Sequence, residues 1–326
     1  LLIRATDIKI GFETRMPVEV QEEGSLTVFC DKLTGILASI PEGTIEVDQK
    51  DAKVVIKPSF KKAQFSLKTI GSEQFPQLPD IDDDKYFSIP IADFKDMIGQ
   101  TIFAVSDDET RYFMNGVYLE RAQDGLVMVA TDGRRLAYIK RGIVEGVPEF
   151  KGVIIPPKLL SVVLHRAGNE GQIDLAVSDK NLFVKFGQYR LSTVLIEGQF
   201  PNYQKVVPES QKYTVSVKRQ DVIDALKRVS IFVEQKSRRT FFALSADKLV
   251  ISSEETEIGT AREEILCAYE GPEAVIAMNY KYIEDPLRAI STEDISMRFT
   301  ETSRAVTVAP DPESDYFHIL MPMQVD

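Results

Sequence analysis

The chain repeats itself, and nothing else in it limits the fold as much. The segment FSLKTIGSEQFPQLP from Phe65 returns as YRLSTVLIEGQFPNYQKVVP from Tyr189. Both run aromatic-x-Leu-x-Thr and then Gln-Phe-Pro. ATDIKIGF from Ala5 returns as ATDGRRLAYI from Ala130, and ISSEETEIGTA from Ile251 takes the same place a third time. A longer pair starts at Lys85 and Lys212: Lys-Tyr, strand, helix, Ile-Phe, then a polar loop ending in aromatics. Each copy of such a unit must bury its apolar face within itself or against its neighbour. Boundaries near Pro79–Asp80 and Pro208–Glu209 give domains 1–79, 80–208 and 209–326. The first is the shortest; if it matches its siblings, roughly 45 residues, one helix and the strands beside it, precede Leu1.

Within a unit the pattern is mostly β. GQIDLAVSDKNLFVKFGQYRLSTVLI reads as three strands with turns at Ser178–Asn181 and Gly187–Gln188. Equivalent triplets occur in the first and third units, each after a short amphipathic helix. In PKLLSVVLHRA, Leu159, Leu160, Val163 and Leu164 form one apolar face, and Pro157 suits the first helical position. Its companions start at Asp31 and Tyr280, and a second helix per unit is predicted over 91–105 and 219–233. The fold class is α+β: three repeated domains, each with two helices packed on antiparallel sheets, the first domain lacking part of its set.

Net charge is −11, which by itself argues against nucleic acid. The charges are not evenly placed. Lys158, His165 and Arg166 share one helix face, Arg219, Lys227 and Arg228 another with Asp221 and Asp224, and Lys281 and Arg288 a third with Glu284 and Asp285. Acidic residues concentrate in loops and strands, as at Asp80 and Asp82–Asp84. If the repeats close into a ring, these helices offer point charges to a phosphate backbone without reading bases. The same pattern also fits ordinary solvated helix faces.

Chemistry is hard to find. His165 and His318 are the chain's two histidines, and no His/Cys/Asp/Glu cluster has metal-ligand spacing. No P-loop, G-x-G-x-x-G or G-x-S-x-G occurs, so neither a cofactor nor a metal is expected. Asp132 precedes Gly133 in a repeated Thr-Asp turn and reads as a turn former. Cys30 and Cys267 are isolated thiols, expected as small buried apolar groups in a reducing compartment, the cytoplasm. No stretch is long and apolar enough for a membrane span.

NGVYLERAQDGLVMVATDGRRLAYIK from Asn115 resembles the LEGxxLxxVATDGxRLA pattern of the bacterial sliding clamp family, the processivity (beta) subunit of the replicative DNA polymerase. EGQFPNYQKVVP from Glu197, LASIPEGTIEV from Leu37, RYFMNGV from Arg111 and the YFHILMPM ending are similar to that family too. The resemblance covers the whole chain. It implies a non-enzymatic homodimeric ring around duplex DNA that tethers the replicative polymerase and other clamp-motif proteins and is opened by a clamp loader.

The resemblance also implies a cleft between domains two and three for Gln-Leu-x-Leu-Phe-like peptides, bound at submicromolar to micromolar strength. Its lining would be Met114, Thr131, Gly133, Arg134, Arg135, Leu136, Pro208, Ile319, Leu320, Met321, Pro322 and Met323. Arg135 either bonds peptide carbonyls or holds the turn. Met side chains adapt to varied apolar anchors. Tyr112 and Lys158 match DNA-facing positions, to which the helix charges Arg166, Arg219, Lys227, Arg228, Lys281 and Arg288 are added. Lys32 and Phe65 on one side, and Ile231 and Phe232 on the other, match the dimer interface. The chain departs from the family at Arg134, often His; at Asp31 and Asp108, where an arginine and a glutamine contact DNA; and in its acidic Gln324-Val325-Asp326 end. Two other readings stay open: an enzyme centred on Asp132 and Arg135, and a clamp-like scaffold with no DNA role.

Overall fold

Short strands alternating with single helices leave each helix one sheet face to cover, and the computed structural model, which describes residues 1–143 and 145–324, realises that pattern. Val325 and Asp326, part of the acidic ending, lie outside the described residues. The chain forms two compact units, Leu1–Ile81 with Gly187–Ser192, and the remainder from Asp82.

In the first unit, Leu2–Thr6 and Ile10–Arg15 pair as an antiparallel hairpin with Ala5 opposite Phe12. The Phe12 and Tyr189 rings lie 5.8 Å apart. A three-stranded sheet, Ile45–Lys50, Lys53–Pro58 and Phe65–Lys68, buries Val54, Val55 and Ile56. Helix α1 (Cys30–Ser39) opens on Asp31, a favourable charge at a helix start, yet it buries no residue.

In the second unit, α2 (Ile91–Gly99) buries Ile91, Phe94, Met97 and Ile98. It packs on α3 (Pro157–Arg166), which buries Leu159, Leu160 and Val163. Pro157 starts α3, and His165 and Arg166 sit in its last turn, where cations suit the helix dipole. In the third repeat, α4 (Arg219–Val229) packs on α5 (Tyr280–Ala289). The helices predicted to reach 105 and 233 stop at Gly99 and Val229, and each continues only as a 3-10 turn, Ile102–Ala104 and Ser230–Phe232. Thr101 explains the first stop: its hydroxyl donates back to the Met97 carbonyl at 2.8 Å.

The predicted strands and turns of 172–194 are observed. The sheets, however, do not close within each repeat. Arg135–Arg141 runs antiparallel to Tyr316–Leu320, with Leu136 opposite Ile319 and Arg135 opposite Leu320. The second and third repeats therefore share one twelve-stranded sheet. Main-chain pairing thus brings the ATDGRRL turn and the chain's last strand side by side. Neither thiol is buried: Cys30 is exposed and Cys267 half-buried, because α1 has no covered face and Cys267 sits in a strand with one open side.

Candidate functional site

The Thr-Asp turn builds itself from its own side chains. Asp132 Oδ1 accepts from the Arg134 and Arg135 amides at 2.9 and 3.0 Å. The Thr131 hydroxyl donates to the Arg135 carbonyl at 2.6 Å and accepts from the Gly133 amide at 3.1 Å. Gly133 takes φ +85°, the left-handed region in which glycine carries no penalty. Asp132 is therefore a turn former, as the sequence predicts.

Arg135 extends from this turn and is held by its neighbours. Its side chain is only 11% exposed. Nε donates to Asp132 at 3.1 Å, Nη1 to Asp285 at 2.6 Å and Nη2 to the Phe103 carbonyl at 2.5 Å. The guanidinium lies 4.6 Å from the Tyr282 ring centre, within cation–π range. Of the two roles open to it, Arg135 holds the turn. Tyr282 and Asp285 were not singled out as cleft residues from sequence, since Asp285 lies 150 positions from its partner.

The last strand forms the opposite side. The Met321 amide donates to the Arg134 carbonyl at 2.9 Å, and the Met323 amide to the Ala277 carbonyl at 2.7 Å. Met321 is 45% exposed. Pro322, Met323 and Pro208 are half-buried, and Gly133 and Arg134 are exposed. The other expected lining residues face inward: Met114, Thr131, Leu136, Ile319 and Leu320 are buried. Leu136 and Ile319 belong to a core with Val127, Val129, Ile154, Phe200 and Tyr203. The Gln-Phe-Pro motif thus supplies core: Phe200 stacks on Tyr118 at 4.8 Å, and the Tyr203 hydroxyl donates to Glu120 at 2.5 Å. Burial, reinforced by Glu120, pushes the Tyr203 hydroxyl well above its ordinary value. Directly behind the turn, His318 is buried between Phe103 (5.5 Å) and Tyr316 (6.2 Å). Burial and then the Arg135 charge hold its pKa at about 3.

The basic helix faces are more engaged than their sequence pattern implies. Arg219 donates to the Thr292 and Leu287 carbonyls at 2.9 and 3.0 Å, so it anchors the end of α5 rather than facing outward. Arg228 is 61% exposed but grips Glu263 with two bonds of 2.8 and 2.5 Å. Lys281 and Arg288 both bind Glu284, at 2.5 and 2.6 Å. Glu284 is buried; burial alone would raise its pKa, but these two cations hold it below the usual carboxylate range. Lys158, Arg166, Lys227 and Tyr112 are exposed. Asp108 caps the 109–114 turn: the Thr110 hydroxyl first, then Arg111, hold its carboxyl at about 2. Asp31 is exposed in the first turn of α1.

Of the expected interface residues, Lys32 is exposed, Phe65 and Phe232 are half-buried, and Ile231 is 69% exposed. Leu266, which sequence reading did not select, is 76% exposed; strand alternation alone does not say which face is covered. Among the described residues no group of three or more His, Cys, Asp or Glu is placed to hold a metal ion, and no helix is long and apolar enough to cross a membrane.

Comparison with known proteins adds three findings. Family models described as the DNA polymerase III beta subunit match end to end: the N-terminal domain over 1–79, the central domain over 88–202 and the C-terminal domain over 204–324. The chain is 43% identical over 330 residues to the beta sliding clamp of Treponema pallidum (strain Nichols), spanning 100% of this chain and 89% of that protein. Among solved structures, a sliding clamp from Bartonella birtlesii bound to griselimycin is similar at TM-score 0.93 and 25% identity, covering 99% of this chain and 88% of that one. One from Pseudomonas aeruginosa, also bound to griselimycin, gives TM-score 0.91 at 27% identity over the same shares.

Proposed function

We propose, from the premise that this chain belongs to the bacterial sliding clamp family, the DNA polymerase III beta subunit, that it is the ring that tethers the replicative polymerase to duplex DNA. Two copies close the ring head to tail. Its three domains are 1–79, 80–208 and 209–326. It performs no chemistry of its own, works in the cytoplasm, and is opened and closed by a clamp loader.

Partners dock by short peptides in the cleft made by the Thr131–Leu136 turn and Met321–Met323. One observation carries this reading: the shared sheet sets an exposed Met321 against an exposed Arg134, with their main chains hydrogen-bonded. An adaptable thioether beside a polar rim suits the apolar anchor of a peptide. Leu136, Ile319 and Leu320 act from below, as the packed floor that keeps the two edges in register. The enzyme reading has lost its support, because Asp132 and Arg135 spend their polar atoms on the turn and on Asp285.

For DNA the reading predicts weak, sequence-independent contact. Lys158, Arg166 and Lys227 supply it, with Lys281 and Arg288 partly neutralised by Glu284 and Arg228 by Glu263. Topological linkage rather than affinity keeps the ring on DNA. The test is retention on nicked circular DNA after loading. Protein that stays bound in high salt and leaves when the circle is cut supports the reading. Retention that is equal on linear and circular DNA, or absent from both, favours a scaffold without a DNA role.

A further inference from the structure

The sheet fixes the main chains of the turn and the last strand, but among the described residues no main-chain ladder ties α5 to the turn. Side chains hold α5 instead, at its C-terminal end and at the turn. Gln100, buried at the end of α2, donates Nε2 to the Ala289 carbonyl at 2.7 Å and so holds the C-terminal end of α5. Asp285, four residues earlier and one helical turn away, receives Arg135 Nη1 at 2.6 Å.

The helix needs the second tie. Pro286 lies inside α5 and has no N–H, so the Tyr282 carbonyl lacks the donor four residues on that a regular helix provides. The helix is therefore weakest around Tyr282, on the side away from the Gln100 anchor. Tyr282 is three residues before Asp285, on the same helical face. Its ring lies under the Arg135 guanidinium.

We propose that Asp285 is a positioning residue of the peptide cleft: by gripping Arg135 from α5 it fixes the Tyr282 ring against the Thr131–Leu136 turn, making the turn and the helix one wall. The proposal rests on the cleft reading above. Arg135 is the hub, held by Asp132 from the turn, by the Phe103 carbonyl from the 3-10 segment and by Asp285 from the third repeat. Removing the Asp285 charge leaves the other two grips, so the turn persists while the Tyr282 ring is no longer fixed against it.

The test uses Asp285→Asn, which keeps size and removes charge, and Arg135→Lys as a second variant. Each is titrated with a fluorescent Gln-Leu-Ser-Leu-Phe peptide and followed by stopped-flow anisotropy. The expected result for Asp285→Asn is about a tenfold weaker Kd carried by slower association with unchanged dissociation, because a smaller fraction of the protein has the wall assembled. Combined with Arg135→Lys it adds nothing further, since Asp285 acts only through Arg135. Wild-type affinity in Asp285→Asn overturns the proposal, as does a loss carried by faster dissociation, which marks a direct peptide contact. If the unaltered protein takes no peptide, the cleft reading fails by itself. Positioning is then decided without peptide, from the methyl NMR resonances of Met321 and Met323 in methionine-labelled protein. Displaced resonances in Asp285→Asn uphold it, and coincident ones overturn it.

Discussion

The chain builds the same turn twice and uses it differently. At Thr6-Asp7, Asp7 Oδ1 accepts from the amides of Lys9 and Ile10 at 3.1 and 2.8 Å, and the Thr6 hydroxyl donates to the Ile10 carbonyl at 2.8 Å. At Thr131-Asp132 the same three bonds recur at 2.9, 3.0 and 2.6 Å. The left-handed residue is Ile8 in the first turn (φ +78°) and Gly133 in the second (φ +85°). The difference with the longest reach is in the residue closing the turn. Ile10 continues a hairpin; Arg135 reaches across to another repeat. The third copy departs altogether: Glu254 turns to Arg239, and the loop closes later, through two bonds between Ser253 and Ala261. The repeated Asp is thus scaffold, and the residue that closes the turn makes the site.

Substitutions at matched positions test that contrast, beginning with the largest effect. Arg135→Ala should cost roughly 3 kcal/mol in urea unfolding and abolish peptide binding, since it strands two partly buried carboxylates. Ile10→Ala, its counterpart, should cost about 1 kcal/mol, as a half-buried apolar truncation does. Equal costs would break the distinction between the two turns.

Acid should expose the next difference, because only the second turn has an imidazole behind it. The native His318 pKa of about 3 lies below its ordinary 6.5. Between those values the unfolded chain takes up a proton that the native chain refuses. Stability is therefore full above pH 6.5 and falls as pH drops toward 3, by up to about 1.4 kcal/mol per pH unit. A His318→Phe protein should lack that part of the slope in denaturation between pH 6 and 4. Parallel slopes for the two proteins would remove His318 from the account.

Smaller effects belong to the left-handed position. Gly133→Ala should cost about 1–2 kcal/mol from its φ, and its new Cβ would meet Arg111 Nη1 at 2.7 Å. Ile8→Gly should instead stabilise slightly, by less than about 1 kcal/mol, since relief of strain outweighs added chain freedom. The smallest change is expected at the exposed pair: Arg228→Gln should leave the melting temperature unmoved and change the salt slope of DNA binding by less than about one phosphate equivalent. A full unit lost would mean that Glu263 does not neutralise it.

Much of this was legible in the sequence, for reasons the two turns make plain. Local chemistry repeats as local sequence: the Thr-Asp turn, the strand triplets and α3 with Pro157 at its start all follow from neighbours a few positions apart. The seam between Leu136 and Ile319 is not local, and no periodicity reveals it. Nor does spacing reveal that Met114, Leu136 and Leu320 are floor while Met321 is edge, because all four are simply apolar. Asp285 illustrates the limit. On its helix it reads as one more polar residue beside Lys281 and Arg288; only the fold aims it at Arg135. The pairing of Lys281 and Arg288 with Glu284, by contrast, stands at three and four residues and was visible in spacing, though its burial was not.

The most direct test of the account is one titration. A fluorescent Gln-Leu-Ser-Leu-Phe peptide is added to the protein, and to a variant truncated after Leu320 that keeps the 316–320 strand but loses the Met321 and Met323 contacts. The account predicts saturable, micromolar or tighter binding by the intact chain and none by the variant. No binding by the folded intact chain, or equal binding by both, would contradict it.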